Sequence, residues 1–289
     1  MADLTTLASV KAWLGINSVD ASRDTVLERL IRAQSRYIQA WLSREILSKP
    51  YTEARNGFGA GEGRFMMSFA NDPVSSFTSL SVNGISIPAS PDGGIQAPGY
   101  GFDSDAVWIA KTTSTDALFS LGGFSKGQRN VILSYIGGFL VLPLGQASTN
   151  SWLPSAEVHT IPATPFQVTP DLLWLADNGV NFVATGVALI AVAGSPAAGQ
   201  YSVSTINGIP GVYTFNAGDV GKAVALSYSY VPSDIEQACI ELIGLRWKEK
   251  DRIGVVSLAV GTESTTFFQK DMPAQVMTDL QQYKRVFSL

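Results

Sequence analysis

Ala225-Leu-Ser-Tyr-Ser-Tyr-Val-Pro-Ser-Asp-Ile-Glu236 is the stretch on which the reading of this chain turns. Up to Val231 it reads as a strand, and after Pro232 a helical pattern begins, with Ile235, Cys239, Leu242 and Ile243 recurring at three and four. Ser233-Asp-Ile-Glu236 has the spacing of a capping box, in which Ser233 accepts from the Glu236 amide and the Glu236 carboxylate reaches back. The strand half repeats an earlier phrase, Ile132-Leu-Ser-Tyr135. Between the two phrases charge almost vanishes: from 140 to 230 the only Asp, Glu, Lys or Arg residues are Glu157, Asp171, Asp177, Asp219 and Lys222. One domain split by the insertion of another accounts for this pattern. The expected division is residues 1–139 with 231–289 as a discontinuous host and 140–230 as the insert.

Working outward, Thr5-Thr-Leu-Ala-Ser-Val-Lys-Ala-Trp-Leu-Gly15 predicts a short helix with a Thr cap and a Gly stop. Residues 22–47 carry the strongest helical signal, an apolar stripe of Leu27, Leu30, Ile31, Ile38, Trp41, Leu42 and Ile46. Arg29, Arg32, Arg36 and Gln39 fall largely off that stripe, as a solvated face or a phosphate- or partner-binding one. Residues 50–139 change to short β-like runs. Among them Phe77-Thr-Ser-Leu-Ser-Val82, Asn83-Gly84 and Ile85-Ser-Ile87 spell a hairpin, since Asn-Gly supplies two positive-φ residues. Past the second phrase, Glu241, Lys248 and Lys250 lie mainly outside the predicted helix core, and Asp251-Arg-Ile-Gly254 ends it. Residues 262–270 read as extended or loop-like, and a last short helix carries Val276, Leu280 and Tyr283.

The charge-poor segment predicts seven strands, over 157–161, 166–168, 181–184, 188–192, 200–204, 212–215 and 223–230. That spacing suggests an immunoglobulin-like sandwich, without the cysteine pair of antibody domains. The fold class expected is therefore α+β. Helices from both chain ends form a small bundle packed with a short sheet region, and an all-β sandwich is inserted into it.

Composition narrows the function. Charged residues make up 15% of the 289, well below the usual share of about 25% in soluble domains. Either partners cover much of the surface, or β modules rich in Thr, Ser and Gly dilute the charge. A net charge of −4 gives no general attraction to nucleic acid or anionic membrane. The single cysteine, Cys239, excludes an internal disulfide and reads as a buried, inert thiol. The start Met-Ala-Asp-Leu-Thr-Thr lacks a signal-peptide pattern, and residues 132–144 are too short and Gly/Pro-broken to span a bilayer.

Chemistry-bearing motifs are sparse. His159 is the only histidine, so one His and one Cys cannot form a structural zinc site, and no Gly-x-Ser-x-Gly elbow is present. Gly57-Phe-Gly-Ala-Gly-Glu-Gly63 lacks the Gly-Lys-[Ser/Thr] ending of a phosphate loop and reads as a hairpin tip. Asp103-Ser-Asp105 is too small a cluster for a calcium loop. Trp152 and Trp174 could line a sugar cleft, yet Glu157, Asp171 and Asp177 offer no convincing carboxylate pair. The expectation is a protein that is not an enzyme, with no catalytic, cofactor-binding or metal-ligating residue.

Two stretches combine into a resemblance. Thr6-Leu-Ala-Ser-Val-Lys-Ala-Trp-Leu-Gly15 with Leu27-Glu-Arg-Leu-Ile-Arg-Ala-Gln-Ser-Arg-Tyr-Ile-Gln-Ala-Trp-Leu42 resembles the N-terminal helical hairpin of tailed-phage head–tail connector proteins, also called adaptors or head-completion proteins. Pro232-Ser-Asp-Ile-Glu-Gln-Ala-Cys-Ile-Glu-Leu242, Arg246-Trp-Lys-Glu-Lys-Asp-Arg-Ile-Gly254 and Phe268-Gln-Lys-Asp-Met-Pro-Ala-Gln-Val276 are similar to that family's later helix and C-terminal region. The resemblance implies a virion protein of the neck, assembled in a host bacterial cytoplasm. It implies a ring of about twelve copies joined by heterologous contacts. Its implied partners are other copies, the portal, a tail terminator or further neck protein, and genomic DNA passing through the lumen without sequence-specific binding, with no membrane. Arg252, Ile253, Phe267, Phe268, Gln269, Lys270 and Asp271 are the expected portal-docking residues, and Arg29, Arg32 and Arg36 the expected subunit or DNA-channel contacts. The charge-poor module is similar to immunoglobulin-like modules of phage structural proteins, and simple connectors lack it. The competing expectations are another neck, baseplate or tail-attachment protein with an adhesive sandwich, and an enzyme with a carbohydrate-binding sandwich.

Overall fold

The computed structural model describes residues 2–58, 66–94, 97–109, 123–146, 150–168, 173–206, 208–250, 257–260, 263–266 and 272–285, with backbone alone for 257–260 and 263–266. In chain order the first half holds α1 (Leu7–Leu14), α2 (Asp24–Leu42), β1 (Lys49–Gly57), β2 (Met66–Ser68), β3 (Val74–Val82), β4 (Ile85–Ile87), β5 (Tyr100–Phe102), β6 (Ala106–Ile109) and β7 (Gly127–Gly137). The charge-poor segment supplies β8 (Glu157–Thr160), β9 (Phe166–Gln167), β10 (Leu173–Phe182), β11 (Ile190–Ala191), β12 (Gln200–Ile206), β13 (Ile209–Phe215) and β14 (Ala223–Val231). Then follow α3 (Ser233–Glu249), β15 (Ser257–Val260), β16 (Glu263–Thr266) and α4 (Ala274–Gln281). The fold is mixed α+β with mostly antiparallel sheets.

Local chemistry sets the helix ends. Thr6 accepts from the Ser9 amide at 3.1 Å to start α1, and Gly15, at φ 67°, turns the chain left-handed to end it. Lys11 is buried, donates to the carbonyls of Ser18 and Asp20, and pairs with Asp24, so one cation pins the whole connection to α2. The predicted span of α2 ran too long. Ser43 takes φ 56° and stops the helix at Leu42, and Ile46 reaches the core from a non-helical segment. The capping box at α3 is also corrected. Ser233 is the first helical residue, and the Glu236 amide bonds to the Pro232 carbonyl at 3.1 Å. The Glu236 carboxylate instead accepts from Thr5 Oγ1 at 3.1 Å, tying α3 to the N-terminus.

Between the helices lie two small sheets. The order β1-β7-β3-β4 is antiparallel throughout, and the β3–β4 turn has φ of 53° at Asn83 and 78° at Gly84, as the Asn-Gly signal predicts. The second is β2-β6-β5. They share a core of their own, built on Leu80, Val131, Leu133, Phe69, Phe77 and Tyr135.

The charge-poor segment forms β10-β14-β8 and β11-β12-β13-β9, in which only the β11–β12 pair is parallel. All seven predicted strands have counterparts, but the one placed at 181–184 covers only the end of β10. Its middle, Asp177-Asn-Gly179, has turn composition. The structure absorbs it as an irregularity in the ladder, with register shifts at Trp174/Ala176 and Asp177/Gly179 and φ 122° at Gly179.

The charge boundary near residue 140 is not a boundary between cores. Leu27, Ile38 and Leu42 of α2, Val180, Tyr213, Leu226 and Tyr228 of the charge-poor strands, and Ile235, Ile243 and Leu280 of the C-terminal helices belong to one contiguous buried cluster. At its junction Phe139, Trp152, Tyr230 and Tyr283 pack ring to ring with centroids 5.6–6.0 Å apart. Backbone bonds close the same junction, from Phe139 N to Ile46 O and from Val141 N to Tyr228 O. Arg44 is buried beside it, donating to both carboxylate oxygens and the carbonyl of Asp72, with its guanidinium 5.9 Å from the Trp152 ring centre.

Candidate interaction surfaces

α2 carries two faces. Leu27, Ile31, Gln34, Ser35, Ile38, Gln39 and Leu42 turn inward. Arg29, Arg32 and Arg36 stand exposed on the outside at i, i+3 and i+7, one row along the helix. Arg32 lies 3.8 Å from Glu28, while Arg29 and Arg36 have no ion-pair partner among the described residues. Beside the row run exposed Val26, Ala33, Tyr37 and Ala40. The N-terminal segment covers one flank of α2, where Gln39 Nε2 donates to Ala2 O and Ser35 Oγ accepts from the Leu4 amide. Lys284 covers another, 4.4 Å from the Trp41 ring centre. The three arginines expected at subunit or DNA-channel contacts are thus brought together on an uncovered helix face.

α3 and α4 together build an acidic face. Asp234, Gln237 and Glu241 share a stripe on α3, and Gln275, Asp279 and Gln282 share one along α4 and its end. Gln282 Nε2 bridges the two stripes by donating to Asp234 at 3.1 Å. Gln237 donates to Glu241 and Gln275 to Asp279, each at 2.9 Å. Among the described residues none of these three carboxylates pairs with a cation, and the α3 stripe stays acidic until Lys248.

The expected portal-docking residues Arg252, Ile253, Phe267, Phe268, Gln269, Lys270 and Asp271 lie outside the described residues. Between them β15 and β16 pair antiparallel with each other alone among the described strands.

Chemistry-bearing side chains elsewhere are committed to structural bonds. Cys239 is buried against Ser35 Oγ at 3.8 Å, and burial pushes its thiol up to about 12. Asp103 accepts from the Asp105 and Ala106 amides and so closes the β5–β6 turn. Asp177 accepts from the hydroxyls of Tyr201 at 2.5 Å and Tyr213 at 2.9 Å, and burial raises both phenols. Gly57 begins the glycine-rich run as the end of β1, where an added Cβ would meet the Ser125 carbonyl; residues 59–63 lie outside the described residues. No group of three His, Cys, Asp or Glu residues able to hold a metal occurs among the described residues. An open groove of about 400 Å³ lies between β3, the β5–β6 turn and Leu142, Gln146 and Leu153, with Phe77 and Phe102 on its wall.

The repeated phrases turn out to share more than composition. In one sheet Glu53 stands opposite Leu133, accepts from the Tyr135 hydroxyl, and its second oxygen accepts from Arg55 Nε at 2.8 Å. In the other Glu157 stands opposite Leu226, accepts from the Tyr228 hydroxyl at 2.5 Å, and its second oxygen lies 3.2 Å from His159 Nε2. Each Leu-Ser-Tyr occupies a central strand, β7 or β14, and each Glu-x-base lies on a flanking one. The signal missed in the sequence is Glu53-Ala-Arg55 beside Glu157-Val-His159, legible only once strand pairing is known.

No model of a known protein family matches this chain, and no curated protein matches it either. No helix among the described residues is long and apolar enough to cross a membrane.

Proposed function

We propose that this chain is a structural virion protein rather than an enzyme: a head–tail connector that forms a ring beneath the portal, extends the DNA channel and joins capsid to tail. The observation that carries the reading is the closure of α1 and α2 from one end of the chain on α3 and α4 from the other, in one core, with the outer face of α2 left uncovered. That is the arrangement expected of the helical hairpin and later helix on which the resemblance rests. A ring subunit needs two different complementary surfaces. The arginine row of α2 and the acidic face of α3 and α4 are two such surfaces on one chain. A lumen that passes DNA without holding it also suits a chain of net charge −4. Residues 252–271, set between α3 and α4, are the proposed reach toward the portal, with other copies, the portal and a tail or neck protein as partners.

Averaged electron-microscopy images of the purified protein, alone and mixed with its portal, test this reading. The expected result is a closed ring of about twelve copies coaxial with the portal. Trimers or sixfold rings on tail structures would replace it with a baseplate or tail-attachment role. Truncation after Gly254 is expected to abolish portal binding, and unchanged binding would remove the C-terminal segment from that role.

A further inference from the structure

We infer that the Arg29–Arg32–Arg36 row of one copy docks on the Asp234–Glu241–Asp279 face of the next, the two halves of one head-to-tail interface. The inference rests on the ring reading and gives it a named contact.

The charges are opposite in sign and equal in number, three against three, and the carboxylates accept from glutamine amides, with no cation paired to them among the described residues. Among the described residues Arg29 and Arg36 have no ion-pair partner, so their docking breaks no pair there, and only Arg32 has an exposed pair, with Glu28 at 3.8 Å, to exchange. Exposed Val26 and Tyr37 on one side of the row add apolar area, and exposed Ala33 and Ala40 let a neighbouring surface approach the helix closely. Position makes the contact heterologous. At about 3.6 residues per turn, the arginine row falls beside Gln39, on the N-terminal segment's side of α2, and away from Trp41, where the chain beyond α4 packs. The basic and acidic surfaces therefore face different neighbours, and each copy offers one of each. Complementary charge at the surface sets register and association rate more than raw affinity, and it is screened by salt.

The test uses two charge-reversed full-length chains, R29E/R36E and E241K/D279K, studied by sedimentation velocity and negative-stain imaging at low and high salt. Circular dichroism and melting confirm that each variant folds. Wild type should assemble at low salt and dissociate as salt rises, and R29K/R36K should behave as wild type. Each reversed chain alone should stay monomeric, while an equimolar mixture should assemble, because reversed and native faces then alternate around the ring. Assembly of either reversed chain alone, a mixture that stays monomeric, or a wild type monomeric under every condition overturns the inference. Duplex DNA retained by wild type and lost by R29E/R36E, with assembly unchanged, also overturns it and assigns the row to nucleic acid. Closed rings indifferent to the reversals sink this contact and leave the ring reading standing. Trimers or sixfold assemblies that obey the reversals sink the ring reading and leave the contact.

Discussion

The Tyr228 hydroxyl donates to the Glu157 carboxylate at 2.5 Å across the β8–β14 pair, and Tyr135 makes the same bond to Glu53 across β1–β7. In both cases a buried phenol reaches a carboxylate whose other oxygen lies against a base two residues along its own strand. Each bond locks the register of a flanking strand on a central one, where a one-residue slip would turn the glutamate to the opposite face. Burial raises both phenols, so the neutral donor persists through ordinary pH.

Tyr228→Phe leaves the Glu157 oxygen without its shortest donor. A loss of about 1–2 kcal/mol is expected, since a partly buried acceptor stripped of a partner keeps its desolvation cost. Tyr135→Phe should cost at least as much: Glu53 retains the Ala70 amide and the Asn71 side-chain amide, but the Asn71 backbone amide loses the Tyr135 hydroxyl as its acceptor. Urea denaturation of the two variants measures the difference.

Arg44→Met removes the cation from a buried pair with Asp72. Asp72 keeps some exposure, which limits the loss to about 2–3 kcal/mol. R44M/D72N should lose less than the sum of R44M and D72N. A double-mutant cycle by thermal or urea unfolding reads the coupling.

Glu236 and Asp219 should show opposite pH dependence. Burial raises the Glu236 carboxyl above its ordinary value, so the folded state holds that proton more tightly than the unfolded one. Its contribution is favourable below the unfolded value and is lost as pH rises through the folded one. Glu236→Gln should therefore raise the melting temperature at neutral pH, with the gain shrinking in acid. Asp219 is lowered, chiefly by the hydrogen bond from Lys222. Its contribution is present above the unfolded value and is lost in acid, so Asp219→Asn should destabilise at neutral pH and converge with wild type as pH falls. Melting curves across the acid range decide both.

Cys239 should resist a thiol reagent in the native protein near neutral pH, because the thiolate is the reactive form and burial suppresses it. Labelling should become complete on denaturation. Fast native labelling would place Cys239 outside the core.

Removal of residues 141–229 should cost more than a surface module. Val180, Tyr213 and Leu226 lie in the same buried cluster as Leu27 and Ile243, so excision opens the helical core. A shortened chain that melts at the wild-type temperature would refute that expectation.

Much of the fold was legible in single stretches. Helix α1 with its Thr6 cap and Gly15 stop, the Asn83–Gly84 turn, and the switch from strand to helix at Pro232 all rest on local preferences, which adjacent residues determine. The arginine row of α2 was legible too, because helical period alone puts Arg29, Arg32 and Arg36 together. The destination of each polar side chain was decided by tertiary structure. Glu236 had the spacing of a capping box but found Thr5 from the far end of the chain, and Asp177-Asn-Gly179 had turn composition but was held in strand β10, where Asp177 collects two tyrosine hydroxyls. Low charge between 140 and 230 marked a change of surface, since charge is excluded from strands packed on both sides or left unneeded on Ser/Thr-rich faces. It could not mark the limit of the core, because burial depends on which elements meet. Only the meeting of Phe139 and Trp152 with Tyr230 and Tyr283, drawn from three distant parts of the chain, joins the two compositions into one packed interior.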